Sequence, residues 1–414
     1  MSLPDFEEKL AVFAELILNV GLNIQPQQRL VILAGLEAVE LVHEVTAQAY
    51  RGGSPLVTVL WVDEMHQLIR LRNAPESAMN EFSNWAYDLI PACLERGDAY
   101  LQIGAITPGL LKGHDPELVA RASRAAEEAY YPTSVYQGKN QINWSLVRVP
   151  TIGWARKLFP DLDAAAAVDR LWSIIFETCR LNEGDPIRAW EDQFRTLGDR
   201  CAYLNERQFQ ALHFRSPVTD LIVGLPEGQR WFGGNSETTT GVTFAPNLPT
   251  EEIFSMAHRA RVDGYVRASK PLNYKGSLIE DFSITFRDGE VVELNAGRGE
   301  DTLRRLVAAD EGARRLGEVA LVPHRSPISQ TGMVFYDSLF DENAASHLAL
   351  GSAYKFTIKG GEAMAAEEFE RAGGNESMIH VDFMIGSGDM DVTAREAGGN
   401  EIKILEQGDW VASV

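Results

Sequence analysis

Apolar positions along the chain come first in short unbroken runs separated by longer amphipathic stretches. "RLVILAG" (29–35), "LVTVLWVD" (56–63) and "AYLQIGAI" (99–106) are runs of strand length. They read as buried strands. Between the first two, "LEAVELVHEVTAQAYRGG" (36–53) has helical spacing and closes on glycines. Strand, helix and strand in that order predict a βαβ unit with parallel strands and a right-handed crossover. The opening stretch sets Phe6, Leu10, Phe13 and Ile17 on one side of an amphipathic helix. Further helices are predicted over 116–130, 164–180 and 187–207, the last as a link.

Beyond that link the texture changes. Short strands alternate with turn signals in "TDLIVGLPEGQRWFGGNSETTTG", "GSLIEDFSITFRDGEVVELNAG", "EVALVP" and "MIHVDFMIG". The Asp-Gly of "FRDGEVV" marks a tight hairpin. The predicted architecture is an α/β domain with parallel strands over 1–195, then a sheet-rich α+β domain over 196–414. A chain of 414 residues is long enough for two cores.

Composition narrows the function. The chain is 45% hydrophobic and 23% charged, and no apolar run reaches the length of a membrane span. Acids near the N-terminus argue against a secretory signal. Cys93, Cys179 and Cys201 are widely spaced without a CxxC, which predicts reduced thiols, a cytoplasmic protein and no thiolate metal site. A net charge of −21 argues against nucleic acid as partner. It suits cation binding or a substrate with a positive end. "RGGSP" lies at the wrong end of its helix for a dinucleotide loop. His43, His66 and His114 are isolated, so the first half reads as scaffold, cavity wall or dimer surface.

Candidate chemistry gathers in the second half. In "NLPTEEIFSMAHRA" (247–260), Thr250 reads as a helix N-cap with Glu251 and Glu252 in the first turn. The alternative makes one of these glutamates a metal ligand at the rim of a cleft. In "ARRLGEVALVPHRSPIS" (313–329), a helix is expected to end at Gly317, and Glu318 opens an apolar strand. It is either a solvated strand start or a buried carboxylate in need of a partner. In "FDENAASHLALGSAY" (340–354), an Asx-type cap at 341–343 would start a helix near Ala344. His347, Gly351 and Tyr354 would then share a face. Glu342 precedes that helix, so its direction has no period to follow. In "IHVDFMIG", Ile379, Val381, Phe383 and Ile385 fall on one strand face, and His380, Asp382 and Met384 on the other. His380 and Asp382 are either a hydrogen-bonded pair or two ligands.

Imidazole and carboxylate donors without cysteine suit zinc, cobalt, manganese or iron. Glu252, Glu318, Glu342 and Asp382 sum to a charge that two divalent ions would neutralise. A carboxylate bridging two metals is a recurrent layout in two-metal hydrolases.

With these residues assembled, the chain resembles the M29 metallo-aminopeptidases, the aminopeptidase T and aminopeptidase S group. "NLPTEEIF", "GEVALVPHRSPIS", "LFDENAASHLALGSAY" and "NESMIHVDFMIGS" carry the resemblance in order and spacing. The resemblance implies Glu252, Glu318, Glu342, His347, His380 and Asp382 as metal ligands, with Glu318 bridging. It implies Tyr354 as donor to the tetrahedral intermediate; a carboxylate near the metals, Glu252 or Glu318, is expected to carry the proton to the leaving amine. It further implies two divalent ions per chain (zinc, cobalt, manganese or magnesium), short peptides as substrates and a homodimer. Two other functions stay open on the residues alone: a single-metal amidohydrolase, and a non-catalytic small-molecule binder.

Overall fold

The computed structural model describes residues 3–83, 85–274 and 277–412. Gly276, the first residue of the predicted "GSLIEDFSITFRDGEVVELNAG" stretch, lies outside them, as does Lys275. The chain divides into two compact units, Met1–Asp192 with Asn235–Pro249, and Gln193–Gly234 with Thr250–Val414.

The first unit is built on four parallel strands, Leu30–Gly35, Val57–Val62, Ala99–Ala105 and Trp144–Val149. The sheet order is second, first, third, fourth. The apolar run of Leu30–Gly35 is buried because it lies between the second and third strands. The predicted helix after it runs from Val39 to Arg51, behind a single 3₁₀ turn. Gly53, at φ 94°, takes the left-handed turn that follows. The helix predicted over 116–130 extends to Gly138 through Pro132. Ala122, Ala125, Thr133 and Gln137 bury one stripe of it, so packing carries the helix past the proline. The segment 235–249 belongs to this unit, although the sequence places it with the second half. The Leu146 N–H donates to the Pro246 carbonyl and the Leu248 N–H to that of Leu146, which lays the segment along the fourth strand.

The second unit holds an eight-stranded and a five-stranded sheet. The five strands run Phe232–Gly233, Ile253–Ser255, Leu316–Leu321, His347–Gly351 and His380–Met384, each antiparallel to its neighbour. One face of this sheet joins a core shared with the other. Leu212, Phe214, Val223 and Ile284 meet Ile253, Val319, Leu348 and Phe383 there. The Asp288–Gly289 hairpin forms as predicted, both residues at positive φ (51° and 79°), the geometry of a type I′ turn.

Three local expectations are overturned. Thr250 does not cap a helix; the chain enters the Ile253–Ser255 strand, held by a partner on each side. No helix ends at Gly317; a 3₁₀ turn at Gly312–Arg314 leads directly into Leu316–Leu321. His347, Gly351 and Tyr354 do not share a helical face, because His347–Gly351 is a strand with every residue buried. Its helix-like reading came from an apolar run with no polar side to set a period. The nearby helix is Ser338–Glu342, capped by Asp337, which accepts from the Phe340 N–H.

Backbone crowding fixes where the strands meet. Gly351 lies at φ 107°, and a Cβ there would strike the Ile379 carbonyl oxygen of the next strand. Gly351→Ala is expected to destabilise the protein by about 2 kcal/mol or more in urea unfolding. Gly398→Ala, with open space around it, should stay within about 0.5 kcal/mol. Equal stability of the two variants would contradict this packing.

Candidate metal centre

Strand register puts the polar residues of the five-stranded sheet on one face. Glu318 pairs with Ala349, and Ala349 with Asp382. His347 lies between Ala320 and Met384, and His380 opposite Gly351. Side chains two residues apart share a face. Glu318, His347, His380 and Asp382 therefore point away from the core that takes Val319, Leu348 and Phe383. Ala349 separates the two carboxylates and leaves the space between them open. The register slips between Leu316 and Glu318, where Gly317 lies tight against the carbonyls of Gly351 and Ser352. Such a bulge re-aims the side chain that follows it. Glu252 enters from the residue before Ile253–Ser255, and Glu342 from the last turn of Ser338–Glu342.

The donors converge. His347 Nε2 lies 3.2 Å from Glu252 Oε2 and 3.5 Å from Glu318 Oε1. His380 Nε2 lies 3.8 Å from Glu318 Oε2 and 3.4 Å from Asp382 Oδ1. Glu318 thus turns one oxygen to each imidazole. Among the described residues, ligand atoms of Glu318, His347 and Asp382 all fall within 4.8 Å of one another. Both rings are held from behind. His347 Nδ1 donates to the Ala345 carbonyl at 3.0 Å, and His380 Nδ1 to that of Ser352 at 2.7 Å. A carbonyl can only accept, so each Nδ1 carries hydrogen and each Nε2 is left facing carboxylate oxygens, free to hold a proton or a metal ion there. Glu252 Oε2 and Asp382 Oδ1 are buried and, among the described residues, have no hydrogen-bond donor in good geometry. Acceptors facing acceptors require a cation between them, either protons or metal ions.

The pKa shifts express the same demand. Burial lowers the pKa of His347, but the adjacent carboxylates of Glu252 and Glu318 outweigh burial and raise it well above 6.5. Burial also opposes charge on His380, yet Asp382 and Glu318 lift it to about 9. Glu342 is raised well above the carboxylate range, first by burial, then by repulsion from Asp382 and Glu252. Burial likewise raises Glu318. For Asp382, burial is overcome by its contacts with His380, and its pKa falls. Tyr354 has 46% of its surface exposed, yet its ring centre is 4.9 Å from that of His380. Burial of the phenol and the negative charge of Glu318 and Asp382 raise its pKa well above 10. It stays a neutral donor at physiological pH.

All six proposed ligands and Tyr354 therefore meet at one place. The sequence did not point to the residues that hold them. Asn343 is fully buried; its side chain accepts from the Glu251 N–H at 2.6 Å and donates to the Leu339 carbonyl at 2.8 Å. It ties the segment bearing Glu252 to the helix bearing Glu342. Asp310 accepts from the Met378 N–H and the Ser377 hydroxyl and anchors the approach to His380. Glu251, beside Glu252, is buried instead against Gln193 at 2.9 Å. A half-open cleft of about 240 Å³ adjoins the centre, bordered by Leu272, Tyr336, Glu342, His380, Asp382 and Met384.

Known proteins resemble the chain over nearly its whole length. The profile of the family described as thermophilic metalloprotease (M29) matches residues 6–410. Aminopeptidase T of Thermus aquaticus is 45% identical over 406 residues, covering 98% of this chain and 99% of the relative. Aminopeptidase AmpS of Bacillus subtilis is 40% identical over 408 residues, covering 99% and 100%. The structure of wild-type AmpT from Thermus thermophilus superposes with a TM-score of 0.93 at 45% identity, covering 98% of this chain and all of that one. The chain belongs to the M29 metallopeptidase family.

Proposed function

We propose that this chain is a two-metal aminopeptidase that removes the N-terminal residue from short peptides. Family membership and the named relatives support the metallo-aminopeptidase activity. The observation that carries the two-metal reading is Glu318, with Oε1 toward His347 and Oε2 toward His380. One carboxylate facing two separately anchored imidazoles suits a bridge. Glu252 and His347 would hold one ion and His380 and Asp382 the other, with Glu342 beside Asp382. Four carboxylates match the charge of two divalent ions. A simple binder would not need six converging ionisable groups, two of them buried and the rest half-buried.

When bound, the ions supply Lewis acidity that acidifies water and polarises the scissile carbonyl. The chain's own residues do the rest. The Tyr354 phenol, held neutral, donates to the developing oxyanion, a contribution of roughly 10²–10³ in rate. Proton transfer to the leaving amine falls to Glu252, because Glu318 commits an oxygen to each imidazole. The acidic centre receives the free α-amino group, which gives exopeptidase cleavage its physical reason. The reading includes a homodimer, on the strength of the family resemblance. It also includes a cytoplasmic location, for which the three buried free cysteines give support. Among the described residues no helix is long and apolar enough to cross a membrane.

Chelation should abolish hydrolysis of an aminoacyl-nitroanilide, and Co²⁺ or Zn²⁺ should restore it at two ions per chain. Full activity in metal-free protein would sink the mechanism. His380→Ala should lower metal content from two ions toward one by elemental analysis; unchanged content would remove His380 from the ligand set. Binding should also compete with protons. Both imidazole pKa values are raised, so below about 9 for His380 each ring must shed a proton to take a metal. Apparent metal affinity should fall as pH drops from 9 to 6, by up to about tenfold per pH unit for each proton displaced. A flat profile would contradict the assignment of His380 and His347.

A further inference from the structure

One row of the five-stranded sheet has a use beyond metal binding. Phe232 pairs with Phe254, Phe254 with Ala320, and Ala320 with His347. Two aromatic residues thus occupy the ligand face, separated from a metal-binding imidazole by one strand that carries only a methyl group there. Phe356 joins them from the turn after Tyr354. Its ring centre is 5.1 Å from that of Phe232 and 6.2 Å from that of Phe254, both edge-on. Tyr354 stacks on Phe356 at 5.4 Å and meets His380 at 4.9 Å. None of the four rings is fully buried. Arg230 covers Phe232 at 4.8 Å and closes the outer end.

A core would bury such rings, and an ordinary surface would disperse them. We infer that Phe232, Phe254, Tyr354 and Phe356 form the subsite for the side chain of the residue being released, selecting bulky apolar over small side chains. This rests on the aminopeptidase reading. The assignment to the released residue follows from position. Its α-amino group and carbonyl are held at the acidic centre, so its side chain lies within a few ångströms of that centre. Phe254 stands two residues from Glu252 on the same strand face, which sets ring and carboxylate side by side. The half-open cleft beside His380 and Met384 lies along the other edge strand, with room for the continuing peptide. An aromatic side chain moved from water onto such a wall gains a factor of about ten to a hundred in affinity.

The test uses metal-loaded protein and two readouts. Calorimetry with free L-phenylalanine and L-alanine reports the subsite without turnover. kcat/KM for the phenylalanyl and alanyl nitroanilides reports it during catalysis. Phenylalanine should bind at least about tenfold more tightly than alanine. In Phe356→Ala and Phe232→Ala that ratio should collapse toward one, with the nitroanilide ratio falling in parallel and metal content unchanged; Phe356→Leu should recover part of it. Equal binding of the two amino acids by the parent protein would overturn the inference. So would a ratio that survives both variants. Loss of the ratio in Leu272→Ser, with its retention in Phe356→Ala, would place the side chain in the cleft and overturn it too. Failure to hydrolyse either nitroanilide would instead remove the aminopeptidase reading, while product binding still reports on the wall.

Discussion

The metal centre of the second unit answers to one electrostatic constraint: four carboxylates and two imidazoles converge on a largely buried spot. Uncompensated buried charge of that density is costly, so the centre is stable only with cations present. Protons provide them on His347, His380 and Glu342, whose pKa values are all raised. Divalent ions provide more charge at the same place.

The sheet makes the arrangement affordable in structural terms by dividing two jobs between its faces. Val319, Leu348 and Phe383 anchor three adjacent strands in a shared core. Their neighbours Glu318, His347 and Asp382 are then fixed within ligand distance without a loop to hold them. Backbone carbonyls of Ala345 and Ser352 set the ring orientations, and Asn343 joins two further segments. Small residues are as necessary as ligands. Ala349 leaves space between carboxylates, and Gly317 and Gly351 let strands close where a Cβ would collide with backbone.

The first three strands and the helix between the first two were legible because apolar runs and an amphipathic stretch alternate cleanly there; the fourth strand, Trp144–Val149, and the place of segment 235–249 were not. The Asp288–Gly289 turn was legible for a local reason, since only residues tolerant of positive φ fit it. The centre was legible as residue types in motif order, and the strand face of His380 and Asp382 followed from alternation alone. The setting of His347 and Glu252 did not follow. "HLALG" is apolar after its histidine because it is a central strand buried on both sides, and such a strand has no period to distinguish it from a helix. "PTEEIF" imitates a helix start, because a capping signal records local hydrogen-bonding preference and not the strands waiting on either side.

The sequence by itself determined which side chains are available as ligands and which segments must be buried, since donor chemistry and hydrophobicity belong to residues. Only the tertiary structure decided that Glu252, Glu318, Glu342, His347, His380 and Asp382 meet, and that the Phe232–Phe254 row ends beside them. Register between strands far apart in the chain sets those distances. Register depends on the whole packed face, including glycines and alanines whose importance lies in the atoms they lack.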